Sequence, residues 1–132
     1  NSNGIDYKRL AMLLAVLEKR IGMSIGAKDV FINLVGGFHI NDPSTDLAVI
    51  IAVASSAKDF TIPNNTVLVG EVGLSGELRS VPNLEKRIKE SETLGFTNII
   101  IPKSNLKRLK NVDYKIKVLG FQNVKEVLIH LF

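Results

Sequence analysis

With 132 residues, 45% of them hydrophobic and 23% charged, the chain is long enough for one globular domain with a real core. The absence of cysteine excludes disulfides, thiolate zinc sites and cysteine nucleophiles, and it suits a reducing, cytoplasmic setting. No apolar run is long enough to span a membrane, so no membrane partner is expected. The net charge of +4 is unevenly spread: between Pro102 and Lys125 seven basic residues face one acidic residue, Asp113. One basic face follows, and nucleic acid is the commonest partner of such a face.

Tyr7 to Ile21 reads as an amphipathic helix, with Leu10, Leu13, Leu14 and Leu17 at helical spacing and Gly22 as its end. Lys8, Arg9, Lys19 and Arg20 take its polar positions. Val30 to Val35 reads as a strand buried on both faces, and Gly36-Gly37 allows a sharp turn after it. Asp42 is a good N-cap and Pro43 suits a first helical position. The helix they open runs to about Lys58 and has no charge from Leu47 to Ala54, which predicts burial all round. Ser44 in its first turn sits where a cap, an anion or a nucleophile is possible.

Thr66 to Val69 reads as a strand, and the glycine-punctuated stretch from Gly70 to Arg79 as a short hairpin. Pro82 to Leu94 reads as a second surface helix, with Leu84, Ile88 and Leu94 on its apolar side and Gly95 past its end. Asn98 to Ile101 is a buried strand stopped by Pro102. Ser104 caps a short helix to Leu109. Lys115 to Leu119 alternates charged and apolar residues, the pattern of an edge strand. Asn123 caps a last helix whose inner face is Val124, Val127, Leu128 and Leu131. Helices and strands alternate throughout, which predicts one α/β domain over residues 1–132.

His39 and His130 have no partners at metal-ligand spacing, so no metal site is expected. No Gly-x-x-x-x-Gly-Lys-Ser/Thr sequence occurs. A Ser–Lys dyad needs an exposed hydroxyl and a lysine whose pKa is lowered by burial. Lys86, between Glu85 and Arg87, stands in a charged, wet stretch and would stay protonated.

The stretches Gly36 to Ser56 and Gly70 to Glu90, joined by the Asn98 to Pro102 strand, resemble the C-terminal Lon-protease-like domain of the bacterial RadA (Sms) family of DNA repair proteins. The opening from Gly4 to Arg20 and the run from Val30 to Gly37 share the resemblance. It implies the Lon proteolytic fold, a mixed sheet with packed helices, lacking the family's first strands. It also implies a parent with a zinc finger and a RecA-like ATPase. These would bring zinc, ATP and magnesium, leaving this domain without a cofactor. The parent would be a hexameric, DNA-dependent ATPase promoting branch migration, with recombination proteins as further partners. This domain would help hold the ring and contact DNA.

Lon peptidases carry their nucleophile in Gly-Pro-Ser-Ala-Gly; the matching residues here are Asp42-Pro43-Ser44-Thr45-Asp46. Ser44 holds the nucleophile position, but Asp46 replaces a glycine, and a carboxylate there would repel an oxyanion. The catalytic lysine position falls on Glu85; Lys86 is one residue later, about 100° around a helix. The departures at Asp46 and Glu85 predict a domain without peptidase activity. The candidate DNA contacts are Lys103, Lys107, Arg108, Lys110, Lys115 and Lys117, then Lys8, Arg9, Lys19 and Arg20, acting through charge on phosphates. Two alternatives stand beside this: a Lon-like peptidase using Ser44 with Lys86, and a protein-interaction module whose basic face docks an acidic partner.

Overall fold

A computed structural model describes residues 7–23, 42–109 and 113–132. The expected strand from Val30 to Val35, the Gly36-Gly37 turn and His39 lie outside the described residues.

The first helix, α1 (Tyr7–Ala15), runs on into a π-helical turn, Val16–Arg20, whose wider ring closes with the Ile21 N–H on the Val16 carbonyl at 3.2 Å. Leu10, Leu13 and Leu17 are buried, as the spacing predicts, with Val16 beside them; Leu14 is only half-buried. Gly22 ends the helix at φ +78°, a conformation that costs glycine little.

Asp42, extended, accepts the Ser44 N–H, and Pro43 opens a 3₁₀ turn, Pro43–Thr45. Helix α2 (Asp46–Lys58) follows and ends at Asp59, a left-handed residue at φ 59°. The expectation of burial on every side is corrected. Leu47, Ile50, Ile51 and Ala54 are inaccessible, but Ala52 and Ser56 are exposed and Ala48 is half-buried. The outward line carries small side chains, which leave little apolar surface in water, so a helix apolar in sequence tolerates one open face.

Strands β1 (Thr66–Leu68), β4 (Asn98–Pro102) and β5 (Lys117–Phe121) form a parallel sheet in the order β1-β4-β5. The antiparallel pair β2 (Glu71–Val72) and β3 (Leu78–Arg79) is a separate ribbon. Among the described residues the sheet is therefore parallel, not mixed as expected. A parallel sheet needs both faces covered, and β4 supplies both from its alternation. Ile100 joins the cluster of α1, α2 and α5 (Val124–Leu131), while Ile99 and Ile101 join Leu84 and Ile88 of α3 (Leu84–Thr93). Among the described residues β5 lies on the edge of the sheet, as its alternation predicts.

Two further details depart from the sequence reading. Leu94 is 75% exposed rather than part of the apolar side of α3. α3 has ended by then, with Leu94 its C-cap and Gly95 turning the chain away. Ser104 is no cap. It lies inside α4 (Lys103–Leu106), whose N-cap is Pro102, and its hydroxyl meets that of Ser80. The last strand packs closely on α4: a Cβ at Gly120 would lie 2.5 Å from the Leu106 side chain and 3.2 Å from the Lys103 backbone. Asn123 caps α5 by accepting the Glu126 N–H at 2.9 Å.

Candidate functional site

Ser44 is 3% exposed. Its backbone is fully engaged: its N–H donates to Asp42 Oδ1 at 3.0 Å and its carbonyl accepts the Gly70 N–H at 2.9 Å. Among the described residues its hydroxyl has no partner in hydrogen-bond geometry. Lys86 does not reach it. That lysine is exposed on α3 and lines a different groove, together with Glu85. The neighbour that approaches the start of α2 is Arg87, whose Nη2 donates to Asp42 Oδ2 at 3.1 Å. The structure thus gathers Ser44, Asp42 and Arg87, and leaves Ser44 and Lys86 apart.

Asp46 is fully buried and has a defined job. Its carboxylate accepts Nε and Nη2 of Arg9 in a two-point ion pair, and it takes the Val72 N–H at 3.0 Å. Arg9 also lies 3.7 Å from Glu71. One carboxylate therefore ties α1, α2 and β2 together. Arg9, expected outward on α1, turns in because a buried carboxylate needs a cation, and the planar guanidinium matches it at two points. The negative charge of Asp46 is not an open repulsive group; it is neutralised in place by Arg9.

The Ser44 N–H, and beyond it the Arg87 guanidinium, hold the Asp42 carboxyl below the usual carboxylate range. A more acidic folded state means that this contribution is present above the unfolded value, near ~3.9, and is lost as pH falls through the lower folded value. Asp42→Ala is expected to cost about 1 kcal/mol at neutral pH through the lost cap. The gap between wild type and variant should close in urea unfolding below that range. Asp42→Asn, which can still cap, should lose less.

The basic residues do not form one cluster. Lys103 and Lys107 follow the C-terminal end of β4, while Lys117 opens β5 opposite Asn98, at the other end of the sheet, with Lys115 just before it. Across those five residues of strand the separation is about 13 Å, at ~3.3 Å per residue. Lys103, Lys107, Arg108, Lys115 and Lys117 are exposed, as are Lys8, Lys19 and Arg20; Lys110 lies outside the described residues. The charges border the β5 edge rather than filling one patch.

Beside α3 runs a groove of about 970 Å³, floored by Val81, Leu84 and Leu109 and rimmed by Lys86, Lys89 and Arg108. Its shape depends on Asn105, which is buried and clasps the Val81 backbone from both sides. Oδ1 accepts the Val81 N–H at 3.0 Å and Nδ2 donates to the Val81 carbonyl at 3.0 Å. Behind the groove wall, burial and then the charges of Glu85 and Glu92 push the Tyr114 hydroxyl upward. Sequence reasoning missed Arg87, Asn105 and the partner of Asp46. Each acts across at least 24 positions, where local spacing carries no signal.

No described helix is long and apolar enough to cross a membrane. Residues 8–105 match the protein family described as subunit ChlI of Mg-chelatase. Relatives named DNA repair protein RadA align over nearly the whole chain. The Bacillus subtilis protein is 43% identical over 128 residues, and the Streptococcus pneumoniae protein 40% over 131. The protein from Chlamydia pneumoniae is 40% identical over 126 residues. These alignments cover 96%, 99% and 95% of this chain but only 28%, 31% and 28% of the relatives. With most of its length inside the family match, the chain belongs to the family described as subunit ChlI of Mg-chelatase, and it is related to the RadA proteins.

Proposed function

We propose that this chain is a non-catalytic scaffold and DNA-contacting part of a RadA-type DNA repair protein, with the Lon-like fold and a degenerate peptidase site. The observation that carries the reading is the similarity to RadA proteins across almost the whole chain. The surroundings of Ser44 support the loss of chemistry: its hydroxyl is buried without a hydrogen-bond partner among the described residues, and Asp46 is committed to Arg9 and Val72. On this reading ATP, magnesium and zinc serve other parts of the parent, which works as a hexameric ring in the cytoplasm and drives branch migration alongside recombination proteins. The chain contributes packing and phosphate contacts.

The positions of the lysines suggest how a strand would lie. Lys117 opens β5, whose five residues span about 13 Å at ~3.3 Å per residue, and Lys107 follows the helix packed against the far end of that strand at Gly120. DNA following that edge meets both. In the full-length protein, Lys107→Ala with Lys117→Ala is expected to flatten the dependence of log K on log salt by about 1.4 for single-stranded DNA, and to weaken binding about tenfold or more at low salt. A salt titration by fluorescence anisotropy reads both. An unchanged slope refutes the DNA contact.

A further inference from the structure

The groove beside α3 has no part in the reading above, and its lining describes a partner. We propose that it is a docking site for an acidic, amphipathic helical segment of another protein. The floor is aliphatic: Val81 and Leu84 are buried, and Leu109 is half-buried. At its far end Leu94 also lines the groove and is 75% exposed, a large apolar side chain left in water beside an apolar floor. From Leu84 to Leu94 the wall is about 15 Å long at ~1.5 Å per residue, room for about three turns of a partner helix. A helix docks in such a groove by leucine-like anchors at i, i+3, i+4 and i+7.

The charges choose the class of partner. Lys86 and Lys89 line the groove from α3 and Arg108 from the segment after α4, three cations to the two carboxylates of the lining. Carboxylates on the flanks of an amphipathic helix meet them. Glu85 and Glu90 share the lining, and a continuous run of phosphates would be forced against them. Among the described lining residues there is no aromatic ring on which a base could stack, the usual platform for single-stranded nucleic acid. A peptide carries discrete charges of both signs and needs only aliphatic contact, so the lining fits it better.

The test pans a display library of random 15-residue peptides against the chain. Enriched peptides are expected to pair acidic residues with leucine-like residues at helical spacing. Their affinity should fall about tenfold or more in Leu94→Asp and in Lys89→Glu. Both positions are exposed, so both variants should melt with the wild type. No enrichment, enrichment without that pattern, or affinity unchanged in both variants overturns the proposal. So does a 12-nucleotide single strand whose binding is lost in Leu94→Asp, since the groove would then belong to nucleic acid. Lys86, Lys89 and Leu94 are not among the candidate DNA contacts, so failure here leaves the DNA reading intact.

Discussion

Asp46→Ala is expected to destabilise the fold by about 3–5 kcal/mol, because it strands a partly buried arginine and a buried N–H at once. The Arg9 side chain is 22% exposed and would lose both points of its pairing with Asp46, while Glu71 stands 3.7 Å away. The Val72 N–H would lose its acceptor. Against a typical stability of about 5–15 kcal/mol, such a loss brings a small domain close to unfolding at body temperature. Arg9→Ala should be as damaging, since it leaves a fully buried carboxylate without its cation. Asp46→Asn keeps an acceptor for Val72 but cannot neutralise Arg9, and should fall between. Replacing both partners, as Arg9→Met with Asp46→Leu, removes the charges together and should recover part of the loss, the remainder being the orphaned Val72 N–H. Urea unfolding of the four variants reads these losses directly. A loss below about 1 kcal/mol for Asp46→Ala would mean that the ion pair is not the tie between α1, α2 and β2.

The same pair marks the boundary of what the sequence carries. Features set by neighbours along the chain were legible: the Asp42 cap with Pro43, the Asn123 cap, the ribbon between Gly70 and Arg79, the turn at Gly95. Each follows from a backbone conformation that one or two residues favour. The buried strand from Asn98 was legible because three successive isoleucines suit a strand covered on both faces. Asp46 was visible as a departure from a peptidase motif, but its meaning was not. Read alone it is a misplaced charge; beside Arg9 it is a structural bond across 37 positions. Arg9 itself was indistinguishable from Lys8, since both fall at polar positions of one helix. The burial of α2 was overestimated for a related reason: periodicity shows which residues can be buried, and small ones can also be left out. The basic segment looked like one face because charge was counted along the chain, while the parallel pairing of β4 with β5 sets Lys103 and Lys117 at opposite ends of the strands.

Asn105 lies at the same boundary, and its replacement carries the other large effect. Asn105→Ala is expected to cost about 2–4 kcal/mol, since it leaves both the N–H and the carbonyl of Val81 without partners at a residue only 4% exposed. Helix α4 spans four residues, far too few to persist through its own hydrogen bonds, so it depends on such ties to β4, β5 and the segment before α3. Asn105→Asp separates the two bonds. Its carboxylate can still accept the Val81 N–H, but at neutral pH the second oxygen faces the Val81 carbonyl, and the two repel. Protonation turns that oxygen into a donor and restores the pattern. Burial and the facing carbonyl both favour the neutral form, so the folded-state pKa is raised above the unfolded ~3.9. The restored stability is therefore present below the unfolded value and is lost as pH rises through the folded one. Measured by urea unfolding, the deficit of Asn105→Asp relative to wild type should shrink as pH falls from 7 toward 4, while that of Asn105→Ala stays constant. Parallel pH profiles for the two variants would show that the side chain acts by packing alone, and that the clasp on Val81 does not shape the groove.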